Sequence, residues 1–282
     1  MTALFALATS VLWGLADFGG GVLTRRTPAL TVVVVSQSIA VAVLGVIVAA
    51  TGAWSEASPH LWFAVAAGLV GPMAMLAFYK ALAMGPMGVV SPLGSLGVAV
   101  PVTVGLVLGE RPGLPQLAGV LVAVAGVVLA GGPQLRGAPV QRRAVVLTLV
   151  AAMGFGAVMA LIAEASTTLT GLFLALFVQR ATNVAAGGAA LWLSVRRGAP
   201  ALPEQGLPLT TLAFVGLADV AANGTYSIAA QHGPVTVAAV LASLYPAVTA
   251  LAARGFLSER LRAVQAARAG LALVGTLLLA TG

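Results

Sequence analysis

The sequence predicts an all-α polytopic membrane protein, with ten transmembrane helices arranged as two inverted five-helix repeats. Three observations predict it. The first is composition. Of the 282 residues, 60% are hydrophobic and 7% are charged, against about 25% charged in a soluble domain. So few charges cannot build a hydrated surface, so most of the surface faces lipid. The second is a succession of apolar runs of about 20 residues, the length that crosses a bilayer as a helix. The third is an internal repeat. The stretch from Gly68 to Leu96 returns without a gap from Gly216 to Leu244. Gly68/Gly216, Leu69/Leu217, Ala74/Ala222, Ala81/Ala229, Gly85/Gly233, Pro86/Pro234, Val89/Val237, Leu93/Leu241, Ser95/Ser243 and Leu96/Leu244 are identical pairs. A repeat of this size sets the organisation of the whole chain: residues 1–135 and 136–282 are two copies of one unit.

Taken in order, the spans fall at 2–22, 29–51, 61–83, 86–108, 114–131, 143–163, 169–194, 209–230, 234–254 and 263–281. Helices are required because backbone polar groups cannot stay unpaired in lipid. A membrane β-barrel would alternate apolar and polar residues over about ten positions, and the uninterrupted valines 32–35 do not. The first run has no basic residues before it and reads as a retained span, not a cleaved signal. Thr24 to Pro28 ends span one. Thr51 to His60 is polar and carries Glu56. The Gly85-Pro86 and Gly233-Pro234 turns join helices tightly, glycine suiting a helix end and proline the first turn of the next. Gly131 to Arg143 links the copies, and Arg196 to Pro208 is the other long loop.

Five spans per copy is an odd number, so the second copy enters the membrane upside down. Inverted repeats recur in secondary transporters, with the binding site near the midplane where the copies meet. The repeat extends beyond the hairpin. Trp13-Gly14 matches Phe155-Gly156, Gln37 matches Gln179, Glu110-Arg111 matches Glu259-Arg260, and Gln116 matches Gln265.

The net charge is +7. Its distribution fits membrane orientation and not nucleic-acid binding. Odd-numbered loops hold Arg25, Arg26, Lys80, Arg136, Arg142, Arg143, Arg196, Arg197, Arg254, Arg260 and Arg262; even-numbered loops hold Arg111. The positive-inside bias then places the odd loops in the cytoplasm and both termini outside. There is no cysteine, which excludes disulfides and thiolate chemistry. No Walker A loop, nucleophile elbow or paired metal ligands occur, and His60 and His232 lie far apart in loops. No cofactor, metal or catalytic residue is expected.

Ionisable groups at bilayer depth mark function, because lipid makes them costly. Arg180 lies mid-span in 169–194 and Asp219 mid-span in 209–230. Counted from the connecting loop they differ in depth by about five residues, roughly 7 Å. Two readings stay open. Arg180 could hold a substrate carboxylate in bidentate fashion while Asp219 takes an ammonium or a proton. Alternatively the two neutralise each other as a structural ion pair. Asp17 reads as an interfacial residue facing Arg25, with a cavity position as the alternative. Glu164, Lys80, Glu110, Glu259 and Arg268 read as interfacial or snorkelling groups. The uncharged polar candidates are Gln37, Gln179, Asn183, Asn223, Ser95 and Ser243. Asn223, one turn from Asp219, is the best suited to a cavity; otherwise these residues bond helix to helix. Trp13, Tyr79, Tyr226 and Tyr245 could stack on a flat ligand. Pro92, Pro101 and Pro246 remove hydrogen bonds within spans four and nine, which makes them hinge candidates. The sequon Asn223-Gly-Thr225 lies inside a span and is discarded.

Three stretches carry a family resemblance. They are A-L-A-M-G-P-M-G-V-V-S-P-L-G-S-L at 81–96, G-E-R-P at 109–112 and Q-L-A-G-V-L-V-A-V-A-G-V-V-L-A at 116–130. Together they resemble the EamA-type signature of the drug/metabolite transporter superfamily. The second copy, with S-L-Y-P-A-V, S-E-R-L and Q-A-A-R-A-G, resembles it too. The resemblance implies a ten-helix basket, with spans 1–4 and 6–9 around a central cavity and spans 5 and 10 packed outside. Two features depart from the family pattern: Asp17 in an otherwise uncharged run, and Arg268 where the other copy has Gly119.

The resulting expectation is a secondary transporter of the inner or plasma membrane. It would export small metabolites, amino acids or similar amphipathic compounds, by alternating access, driven by a proton gradient or by the substrate gradient. Its partners would be the lipid bilayer, the substrate and a possible coupling proton. An intramembrane enzyme acting on lipid-linked substrates and a non-transporting scaffold are the competing classes.

Overall fold

A computed structural model describes residues 1–100, 141–165, 168–200, 206–232, 241–242 and 244–258, with scattered residues of 113–125 and 267–278. Among the described residues all regular structure is helical. Eight α-helices follow in order: α1 Thr2–Thr24, α2 Ala29–Thr51, α3 Leu61–Met84, α4 Met87–Gly94, α5 Arg142–Ala165, α6 Leu169–Arg196, α7 Leu209–Gln231 and α8 Tyr245–Leu257. The expected spans five and ten lie largely outside the described residues, as do Pro101, Ser243, the Glu110-Arg111 and Glu259-Arg260 pairs and Arg268.

Local chemistry explains the ends. Gly52 closes α2 at φ 67°, the left-handed conformation that glycine adopts without strain. Thr168 opens α6 by accepting a hydrogen bond from the Gly171 amide at 3.0 Å. Gly85 ends α3 in an extended conformation instead of the left-handed one, and Pro86 stands just before α4 instead of in its first turn.

Spans four and nine are not the continuous helices the apolar runs suggest. After Gly94 the helix tightens into a 3₁₀ turn at Ser95–Val98. In the second copy the chain turns at Leu244 before α8 begins. Both breaks fall on the repeat pair Leu96/Leu244. Pro92 lies inside α4 and supplies no amide hydrogen. Pro246, expected to interrupt a helix, occupies the first turn of α8, where a missing N–H costs nothing. Pro72, a third proline, sits inside α3.

The helices pack across the two copies more than within them. α1 lies on α7 and α3 on α5; α2 lies on both α6 and α7, and α6 also packs on α3; α8 packs on α1 and α4. Exchanging α1–α3 with α5–α7 maps these contacts onto one another. Directions follow from the contacts. Gly19 meets Val215 and Thr9 meets Thr225, so α1 and α7 are antiparallel. Gly85 meets Ala144 and Gly154 meets Ala74, so α3 and α5 are antiparallel. Gly20 and Gly21 meet Tyr79 and Leu82, so α1 and α3 run the same way. It follows that α5 runs against α1.

Glycine permits the closest approaches. A Cβ on Gly14 would stand 2.7 Å from the Tyr245 carbonyl and 2.5 Å from Val248 Cβ. Gly156 meets the Gly97 carbonyl and Val100 in the same way. By the repeat, Gly97 and Val100 are the counterparts of Tyr245 and Val248. A second matched pair resets the register of the copies. Gly216 packs on the Ser36 carbonyl and Ile39, and Gly68 on the Gln179 carbonyl and Thr182. By packing, Ser36 therefore corresponds to Gln179, and Gln37 to Arg180. This is one residue away from the Gln37/Gln179 match that identity suggested.

The main core gathers Leu23, Val32, Val33, Phe78, Leu82, Met87, Leu212 and Val215. Apolar side chains such as Leu4, Val46, Met73, Met153, Trp192 and Phe256 point outward instead. Among the described residues, six helices are long and apolar enough to cross a membrane: α1, α2, α3, α5, α6 and α7. An apolar exterior on helices of this length is what a bilayer solvates, and the chain is a multi-pass membrane protein. Glu164 and Lys80 are exposed. Arg196 lies over the Trp192 ring at 3.8 Å, a cation–π contact at the end of α6.

Candidate functional site

The polar groups of the spans converge where α1, α2, α3, α6, α7 and α8 meet. Arg180 is their centre. Its Nη2 lies 2.7 Å from Asp219 Oδ2, and its Nη1 donates to Gln37 Oε1 at 2.6 Å. One guanidinium on α6 thus ties together α2 and α7. The ion pair does not join two helices lying side by side along their length. Each packs on α2, and Gln37 of α2 completes the chain of contacts. Arg180 and Asp219 keep 13% and 19% of their side-chain exposure.

Asn223, one turn along α7, donates its Nδ2 to the Asp219 backbone carbonyl at 2.7 Å. It therefore braces its own helix. Gln179 and Asn183, on the α3-facing side of α6, are buried beside Gly71. The repeat places Gly71 opposite Asp219. Where one copy has a carboxylate, the other leaves room for two amide side chains. Asn183 Nδ2 also reaches the Met75 sulfur at 3.9 Å. Among the described residues, Gln37 Nε2, Gln179 Oε1, Asn183 Oδ1 and Ser91 Oγ are buried without a hydrogen-bond partner. Unpaired polar atoms are costly in a dry interior.

Asp17 carried two readings, an interfacial residue facing Arg25 and a cavity position. It lies on the inner side of α1, within electrostatic range of Asp219 on α7, Tyr79 on α3 and Tyr245 on α8. The rotation of α1 decides this: Gly14 and Gly20–Gly21 face neighbouring helices, so the residues between them on that side face inward too. Among the described residues Asp17 has neither an ion pair nor a hydrogen bond.

Trp13, Tyr226 and Tyr245 form one aromatic group. The Trp13 ring centroid is 6.0 Å from Tyr226 and 6.1 Å from Tyr245, the latter edge to face. Tyr79 is buried at 4% exposure, its ring lying against Gly20. The sequence reading missed two hydroxyl contacts that hold this group. Thr9 Oγ1 and Thr225 Oγ1 are 2.9 Å apart, and Thr249 donates to the Gly14 carbonyl at 3.0 Å. Threonines inside apolar spans carry no signal of their own, but their place on the α1 face that bears Gly14 could have pointed to them. Among the described residues, no group of three or more histidine or acidic side chains gathers to hold a metal ion.

The site residues thus form a chain, Asp17···Asp219–Arg180–Gln37, flanked by Gln179 and Asn183 on one side and by the aromatic group on another. Tyr245 lies at the break before α8, and Ser95 lies at the matching break after α4, buried.

Comparison with known proteins points the same way. The family model described as the EamA-like transporter family matches residues 1–132 and 142–281. No curated protein matches the chain. One solved structure, described only as "Crystal structure of protein", is 18% identical over 99% of this chain and 97% of its own, with a TM-score of 0.62. At that identity the likeness concerns the fold.

Proposed function

Because this chain belongs to the EamA-like transporter family, we propose that it is a secondary active transporter exporting a small metabolite, an amino acid or similar amphipathic compound, by alternating access. The full architecture in this reading is ten spans in two inverted copies, 1–135 and 136–282, in the inner or plasma membrane. The observation that carries the reading is the position of the polar chain. It lies between helices of both copies, and each copy carries a helix break at the equivalent place. Paired interruptions in corresponding segments are the usual pointer to a transporter's binding site.

The substrate would occupy the space bounded by Trp13, Asp17, Gln37, Tyr79, Gln179, Arg180, Asn183, Asp219, Asn223, Tyr226 and Tyr245. The Arg180–Asp219 pair acts as the tie that holds α2, α6 and α7 together in one state and releases when the cavity changes side. Pro92 and the break at Pro246 absorb the bending, and a proton or the substrate gradient supplies the driving force. The odd-numbered loops face the cytoplasm.

A chain without cysteine offers a direct test. An Asn223→Cys variant in inside-out and right-side-out vesicles is treated with a membrane-impermeant maleimide. Alternating access predicts labelling from both faces, slowed by bound substrate. Labelling from one face alone contradicts it.

A further inference from the structure

The charges of the site do not balance. Two carboxylates, Asp17 and Asp219, share the neighbourhood of one guanidinium, and Arg180 is already committed to Asp219 and Gln37. Asp17 is left over. The charged and titratable groups facing it are Asp219 from α7, Tyr79 from α3 and Tyr245 from α8. None of these is a cation. A carboxylate at bilayer depth with no partner is expensive, and truncating or withholding a partner costs more than the pair itself. Asp17 is nevertheless only partly buried. Trp13 stands one helical turn away on the same face of α1 and forms the aromatic group with Tyr226 and Tyr245. A carboxylate one helical turn from such an aromatic group is chemistry that receives an ammonium group, by charge and by cation–π attraction.

We propose that Asp17, with Trp13, Tyr79, Tyr226 and Tyr245, binds the ammonium end of the transported compound, so the substrate class is an amine or organic cation with an apolar or aromatic body. This rests on the transport reading and deepens it. The earlier alternative, in which Asp219 receives the ammonium, is replaced because Asp219 is already neutralised by Arg180.

The test is equilibrium binding to the purified full-length protein in detergent, by calorimetry. Four probes share one body: 2-phenylethylamine, its trimethylammonium derivative, neutral 2-phenylethanol and anionic 3-phenylpropanoate. Both cations should bind at least tenfold more tightly than the alcohol, with the anion weakest. Asp17→Asn should remove that preference, and Asp17→Glu should retain most of it. Equal binding of cation and alcohol by the unmodified protein overturns the proposal without any variant, as does binding of none of the four. So does an unchanged cation preference in Asp17→Asn. Binding in detergent requires no transport. A cation preference that depends on Asp17, without counterflow of the same amine in proteoliposomes, would sink the transport reading and leave the site standing. Counterflow of other compounds unaffected by Asp17→Asn would do the reverse.

Discussion

Arg180 holds two partners at once, and its replacement separates a structural tie from a bystander. With Asp219 largely buried, removing one member of the pair leaves an uncompensated charge, typically worth about 3–5 kcal/mol. Arg180→Met should therefore lower the thermal midpoint in detergent markedly. Arg180→Met combined with Asp219→Asn should recover much of the loss, since no lone charge remains. An equal midpoint for the single and double variants would show that the pair holds nothing. At this scale the sequence was half legible. Arg180 and Asp219 could be matched from depth alone, because adjacent spans share a loop from which to count. Gln37 as the third member could not, because identity aligned it with Gln179. The one-residue shift is visible only in how Gly68 and Gly216 pack. Asp17 was left between two positions for a related reason. A helix apolar nearly all round gives no phase from which to infer its rotation.

Between elements, small residues set the distances. Without a hydrophobic drive between helices in lipid, close packing at glycine is what holds spans together. Gly14 against the carbonyl of Tyr245 and Gly156 against the carbonyl of Gly97 are the same contact made twice. Each seats a long helix against a broken one. Gly156→Val forces α5 away from the 3₁₀ turn at Ser95–Val98, and overpacking of this kind costs about 1–3 kcal/mol. The expected outcome is a lower thermal midpoint for Gly156→Val and for Gly14→Val, while Gly188→Val, at a glycine with open space around it, stays near the unmodified protein. Equal midpoints for all three would show that these contacts are loose. The boundaries of the long helices were readable from the apolar runs: 29–51 was expected and Ala29–Thr51 found. The breaks after Gly94 and at Leu244 were not, because an apolar run measures burial and says nothing of backbone continuity. Pro92 was the legible part of that signal, and Pro72 inside α3 went unnoticed.

Across the whole molecule, the two copies build one body by interleaving, so that nearly every important contact joins one copy to the other. The copies are alike in packing and unlike in charge: Asp219 in one faces the place of Gly71 in the other, and Arg180 that of Gln37. The repeat was legible because ten identities survive at fixed spacing between 68–96 and 216–244. The interleaving was not, because contacts between copies leave no periodicity in either. In the proposed reading this body moves a small molecule across the membrane. The most direct test is radiolabel counterflow in proteoliposomes loaded with unlabelled amino acids, nucleosides or organic amines in turn. Transient accumulation of at least one compound class is the expected outcome. That accumulation should disappear in Asp219→Asn protein that still elutes as a folded species. No accumulation of any of them, by protein shown to be folded and inserted, would contradict it.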